Sequence, residues 1–254
     1  MQDLQGKVIA ITGAAGGIGE TTARLAHARG ARVALADLDL SAVQQIAAQL
    51  GDAAIAVQVD VSRREDNQRL VAATLDAFGR LDGMFLNAGI EGQVGPFDSR
   101  SDDAWDSVFA VNVHGVRFGV EAALPALRQA GGGSLVITSS VAGVRGAAGL
   151  SPYVSSKHAV VGMMRCLAAE LGPEGIRVNT LNPGPVDNRM MRSIEEQASP
   201  GHCDQVKQGF VSRIPLGRYA SNQECANMAL FLLSDASSGC NGNTYMVDGG
   251  YCAH

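Results

Sequence analysis

The sequence has little charge, few aromatic residues and no ordered cysteine pattern. Asp, Glu, Lys and Arg make up 18% of its 254 residues and aromatics 5%, with a single tryptophan. Charge at that level lies below the usual ~25%. Lys and Arg are scattered, with no basic run beyond Arg63-Arg64, and the net charge is −5. An electrostatic footprint for nucleic acid is thereby excluded. The five cysteines, Cys166, Cys203, Cys225, Cys240 and Cys252, are odd in number and widely spaced. No CxxC or HExxH spacing occurs, so neither a disulfide framework nor a metal site is signalled. No stretch approaches the ~20 apolar residues of a membrane span, and Met1 to Lys7 lacks a basic segment running into an apolar one. The expectation is a cytoplasmic globular protein, with no membrane or nucleic-acid partner.

What the chain does have is glycine, 31 residues of it, well above the usual ~7%, and short apolar runs. Lys7 to Thr12, Arg32 to Asp37, Ile55 to Asp60, Met84 to Asn87, Ser134 to Ser139, Ile176 to Asn182 and Asn243 to Val247 read as strands. They are nearly continuous in apolar character, as strands covered on both faces should be. Between them, helical patterns cover 17–29, 42–50, 64–78, 102–129, 153–171 and 223–233, several stopping at Gly30, Gly51, Gly79 and Gly172. Such alternation predicts parallel strands joined by right-handed crossovers. The expected fold is α/β, a single Rossmann-type domain over residues 1–254 with a doubly wound, seven-stranded parallel sheet. Residues 188–215 break the rhythm, carry two prolines, and are expected to be an irregular substrate lid.

Directly after the first strand comes Thr12-Gly13-Ala14-Ala15-Gly16-Gly17-Ile18-Gly19, opening a helix. Glycines there allow a sharp turn and let a diphosphate approach amides at the helix N-terminus. The spacing is GxxxGxG, not GxGxxG. Asp37 ends the second strand, where a carboxylate can accept from both ribose hydroxyls and repel a 2′-phosphate. A basic residue that would favour NADP is missing, since Ala15 and Leu38 stand in its places. The expected cofactor is NAD.

Tyr153-Val-Ser-Ser-Lys157 lies on a helix, so residues i and i+4 share one face. A cation beside the phenol should pull its pKa from ~10 toward working pH, making Tyr153 a general acid/base. Ser140 stands at the end of the fifth strand, where its hydroxyl could hold a carbonyl oxygen.

With these residues in place, the chain resembles the short-chain dehydrogenase/reductase family from Lys7 to Gly250. The resemblance is carried by TGxxxGIG (Thr12–Gly19), Asp60-Val61, Asn87-Ala88-Gly89, Asn112, Ser140, the YxxxK pair, Pro183-Gly184 and Val247-Asp248-Gly249-Gly250. It implies that Lys157 also binds the nicotinamide ribose and that Asn112 holds a water linking Lys157 to solvent. By the same resemblance Asp60 would contact the adenine amino group, the amide of Val61 its ring, Asn87 the adenosine ribose, and the backbone of Val186 the carboxamide. Gly13, Gly16, Gly17, Ile18, Gly19, Leu38, Ala88, Gly89, Pro183 and Gly184 complete the cofactor set. Two departures stand out: Asn188 occupies a position where many relatives carry Thr, and Leu86 one where Asn is common.

The reaction implied is hydride transfer between NAD(H) and a secondary alcohol or ketone. Met190, Met191, Ile194, Phe210, Val211 and Ile214 in the lid, with Val141, Val144 and Leu150, point to an apolar substrate wall and a small to medium apolar or alicyclic substrate. Three other readings stay open: a 3-oxoacyl thioester or hydroxysteroid substrate, an epimerase or eliminating enzyme of the same fold, and a non-catalytic nucleotide-binding protein. His114 and His158 read as packing or surface residues, as do Met163, Met164, Met228 and Trp105; His202, Cys203 and Tyr251 to His254 are open as substrate contacts. The resemblance also implies a homotetramer, with 102–129 and 153–171 packing across one interface and the C-terminal strand region across another.

Overall fold

The computed structural model describes residues 3–253, so His254 lies outside the described residues. Seven strands form one sheet: β1 Val8–Thr12, β2 Arg32–Asp37, β3 Ala54–Gln58, β4 Gly83–Leu86, β5 Gly133–Thr138, β6 Ile176–Pro183 and β7 Thr244–Val247. Their order is β3-β2-β1-β4-β5-β6-β7, with every neighbouring pair parallel. Successive strand residues point to opposite faces, and two cores sort them accordingly. Ala10, Ala34, Met84, Leu135, Ile137 and Val178 pack under α3 (Arg64–Phe78), α5 (Gly115–Gln129) and α6 (Ser151–Leu171). Ile9, Ile11, Val33, Leu35, Phe85 and Val136 pack under α1 (Gly17–Ala28), α2 (Leu40–Leu50) and α9 (Asn222–Leu233). Strand order reverses between β1 and β4, and the crevice at such a switch point is where α/β sheets hold ligands. The expected doubly wound fold is present.

Several boundaries differ from the sequence expectation, each with a local cause. Strand β3 stops at Gln58 and β5 at Thr138, so Asp60 and Ser140 stand in loops beyond them. The helix expected over 102–129 is interrupted: α4 (Asp102–Phe109) passes through a π turn, Ala110–His114, into α5. Helix α2 begins two residues early because the Asp39 side chain accepts the Ala42 N–H. Gly172 does not stop α6 in a left-handed cap, since its φ is −53°; Gly175, at φ +73°, makes that turn. The segment 188–215 is not irregular but holds α7 (Arg189–Ala198) and α8 (Cys203–Val211), with the proline-glycine pair Pro200-Gly201 in the break.

Candidate active site

Parallel strands all deliver their C-terminal ends to one edge, and hydrogen bonds lock those ends together. Thr12, at the end of β1, accepts the N–H groups of Asn87 and Ala88 at 3.0 and 3.1 Å. The Asn87 amide donates to the Thr12 and Gly13 carbonyls, and its oxygen accepts from the Thr138 hydroxyl at 3.1 Å. This side chain therefore ties β1, β4 and β5 to one another at the edge of the cleft.

The glycine turn follows. A Cβ on Gly19 would lie 2.1 Å from the Gly13 carbonyl oxygen, and Gly13 itself has φ +65°. Helix α1 starts at Gly17 with no side-chain cap, whereas α2, α4, α7 and α9 each have one. Its first N–H groups thus lack an intrahelical acceptor and face the cleft beside Gly16, Gly17 and Ile18. That is a cradle suited to a diphosphate. Asp37 holds the turn from the side, accepting the Ala15 N–H at 3.0 Å and the Asp39 N–H at 3.2 Å. One oxygen of Asp60 is committed to the Ser62 amide and hydroxyl. These residues fit a dinucleotide.

The cleft continues, with a volume of about 480 Å³, to the proposed catalytic residues. Every expected site residue lines it except Gly19 and Asn112. Tyr153 and Lys157 sit one turn apart on α6, 8% and 3% exposed. Lys157 Nζ donates to the Thr138 carbonyl at 2.8 Å and lies 5.5 Å from the centre of the Tyr153 ring. Burial drives the ammonium down to about 8 and the phenol up to about 12. The charge of Glu91, a buried carboxylate, adds to the rise of the phenol, while the Ser140 hydroxyl opposes it. Burial thus dominates the shift of the phenol, and the Lys157 ammonium is turned to the Thr138 carbonyl.

Asn112 stands behind this pair, 1% exposed, in the π turn. Its oxygen accepts the Ile90 N–H at 2.9 Å, and its amide donates to the Ile90 carbonyl and the Ser156 hydroxyl. A Cβ on Gly89 would lie 3.2 Å from the Asn112 oxygen and 3.3 Å from Lys157 Nζ, so the two side chains converge on Gly89. Ser140 is held by its own turn, its hydroxyl accepting the Ala142 N–H at 3.1 Å. Asn188, the departure from the resemblance, caps α7 by accepting the Met191 N–H at 3.2 Å.

The cleft that Tyr153 lines also has an apolar wall, with Val141, Leu150, Met190, Met191, Ile194 and Phe210. Val144, Val211, Ile214, His202 and Cys203 are not part of it; Cys203 instead donates to Glu196 at 2.8 Å. His114 stacks on Phe118, and His158 bonds the Val154 carbonyl. Two residues near the site were not singled out from sequence, Glu91 and Arg145, while Tyr251, left open there, lines the cleft. Position was the only signal available for the first two, two residues past Asn87-Ala88-Gly89 and five past Ser140.

Residues 13–252 match a family model described as enoyl-(acyl carrier protein) reductase. The chain is 36% identical to levodione reductase of Leifsonia aquatica, over 97% of this chain and 94% of that one. A crystal structure of levodione reductase superimposes with a TM-score of 0.95, covering 98% and 99%. Identity is 36% to cyclohexanol dehydrogenase of an Acinetobacter strain, over 96% and 94%. It is 39% to 2,5-dichloro-2,5-cyclohexadiene-1,4-diol dehydrogenase of Sphingobium indicum, over the whole of both. A 3-ketoacyl-(acyl-carrier-protein) reductase from Brucella melitensis, complexed with NADH, has a TM-score of 0.89 at 31% identity, covering 98% and 99%.

Proposed function

The chain belongs to the short-chain dehydrogenase/reductase family, and from that premise we propose that it moves a hydride between NAD(H) and the carbinol carbon of an alicyclic secondary alcohol. One observation carries the reading: Ser140, Tyr153 and Lys157 line the same cleft as the glycine turn, Asp37 and a set of apolar side chains. Relatives named for cyclohexanol and a cyclohexadiene diol supply the ring. The dinucleotide supplies the hydride acceptor or donor when bound. Ser140 holds the substrate oxygen, Tyr153 takes or returns the hydroxyl proton, Lys157 stabilises the phenolate and binds the nicotinamide ribose, and Asn112 anchors the loop carrying Gly89 and Ile90. Gly13, Gly16, Gly17, Ile18 and Gly19 receive the diphosphate; Asp60, Val61 and Ala88 flank the adenosine; Pro183, Gly184 and Val186 flank the carboxamide. Asp37 selects NAD over NADP by repelling a 2′-phosphate, with Leu38 offering no cation in compensation.

Residues 188–215 form the substrate lid, since Met190, Met191, Ile194 and Phe210 reach the cleft. The protein works as a cytoplasmic homotetramer; among the described residues no helix is long and apolar enough to cross a membrane. The test is NADH formation at 340 nm from cyclohexanol with NAD and with NADP at equal subsaturating concentrations. NAD is expected to give the faster rate, and Tyr153→Phe to bind NADH yet lose about 10²- to 10⁴-fold in turnover. Comparable activity in the variant, or faster turnover with NADP, overturns the corresponding assignment.

A further inference from the structure

Arg145 sits five residues beyond Ser140 on a turn with little freedom. The Ala142 N–H bonds Ser140 Oγ, the Gly143 N–H bonds the Ser140 carbonyl at 2.9 Å, and the Arg145 N–H bonds the Val141 carbonyl at 3.1 Å. The position of Arg145 relative to the catalytic serine is therefore set by backbone. Its guanidinium lies 4.5 Å over the centre of the Tyr251 ring, and Nη1 donates to the Tyr251 carbonyl at 2.9 Å. Tyr251 is itself pinned, at 8% exposure, by a turn in which Asp248 accepts from Gly250, Tyr251 and Cys252. Stacking of this kind fixes the plane of a guanidinium and the direction of its donors.

A guanidinium has five N–H groups, and bonds to the Tyr251 carbonyl and the Cys252 thiol leave others free. Both Arg145 and Tyr251 line the cleft, and Arg145 is exposed, so water now meets its free donors. The apolar lining residues Val141, Leu150, Met190, Met191, Ile194 and Phe210 offer them no side-chain acceptor. A purely hydrocarbon ring bound here would strip water from those donors and return nothing, which is unfavourable. We propose that Arg145 is a specificity-determining residue that hydrogen-bonds a second, uncharged oxygen of the substrate, across the ring from the carbinol held by Ser140 and Tyr153. The substrate class is thus an alicyclic diol or its hydroxyketone, an inference that rests on the alicyclic-alcohol reading above. A substrate carboxylate is disfavoured because it would add to the negative field of the buried Glu91, which already reaches Tyr153. In the diol reaction one carbinol C–H gives its hydride to NAD, its O–H proton leaves through Tyr153, and the second hydroxyl is unchanged.

The experiment compares kcat/KM, with NAD, for cyclohexanol, cyclohexane-1,4-diol and 4-hydroxycyclohexane-1-carboxylate, in wild type, Arg145→Met and Arg145→Lys. Wild type is expected to favour the diol over cyclohexanol about tenfold or more, beyond the twofold due to two hydroxyls. Arg145→Met should collapse that ratio toward two, and Arg145→Lys, which keeps the charge but not the stacked fork, should fall between. NADH binding and melting temperature show whether each variant is folded, and the wild-type ratio stands without them. A wild-type ratio near two, a ratio unchanged in Arg145→Met, or a preference for the carboxylate overturns the proposal. Wild-type oxidation of cyclohexanol with any of these results leaves the alicyclic-alcohol reading in place; oxidation of neither alcohol overturns both.

Discussion

Burial sets the two members of the Tyr153–Lys157 pair apart. The lysine, at 3% exposure, titrates near 8 in the folded protein because burial penalises its charge. Its ordinary value is 10.5. Between the two the unfolded chain holds the extra proton, so this residue makes stability rise with pH from about 8 to about 10.5. Below about 8 the full penalty stands, about 3 kcal/mol. Replacing Lys157 by methionine removes the titration and also the bond to Thr138, but the lost bond is insensitive to pH. Urea unfolding should therefore show wild type gaining on Lys157→Met by about 3 kcal/mol between pH 7 and pH 10.5. Parallel stability profiles would sink the assignment of a buried, strained ammonium. The i, i+4 spacing was enough to place both side chains on one face, but spacing holds no information about desolvation. The direction of the Tyr153 shift was accordingly out of reach until packing was known.

At the scale of elements, helix α7 couples a cap to the cleft. Asn188 caps its first turn; Met190, Met191 and Ile194 then face the cleft, and the fully buried Glu195 accepts from the Tyr219 hydroxyl at 2.9 Å. Asn188→Ala should cost about 1 kcal/mol. Because the frayed turn carries the cleft wall, KM for the alcohol should rise several-fold, and Asn188→Ser or Asn188→Asp should restore it. A melting temperature lowered with KM unchanged would separate α7 from the substrate wall. The strands were legible because each is apolar on both faces, and the glycine turn because its helix follows at once. The π turn at Ala110–His114 was not, since it is held by bonds from Asn112 to Ile90 and Ser156 that join distant parts of the chain. Nor were α7 and α8, hidden by a proline-glycine break that in a sequence reads as loop.

The whole molecule raises a different matter, the outer face of α6. The inner face holds Tyr153, Lys157, Val160, Met164 and Ala168, whereas Ser155, His158, Gly162, Arg165, Cys166 and Ala169 are exposed. Among these, Ser155, Gly162, Cys166 and Ala169 are small and uncharged, with Arg165 and the exposed Glu170 beside them, and such a small-residue strip fits the packing of a second copy. Gly162 decides between a covered and an open face. A Cβ built there meets nothing within 4 Å in the single chain. On a solvent-facing helix, glycine is worse than ordinary residues by about 0.5–1 kcal/mol, so Gly162→Glu should stabilise a monomer. In the proposed tetramer the same carboxylates would be forced into a helix–helix contact without partners, and burial of unpaired charge is strongly unfavourable. Light scattering of wild type at micromolar concentration should give about 105 kDa, four chains of 26.3 kDa. Gly162→Glu should fall to about 53 kDa if the C-terminal interface persists, with a lower melting temperature. A mass of one chain for wild type, together with a more stable variant, would show that this helix faces water.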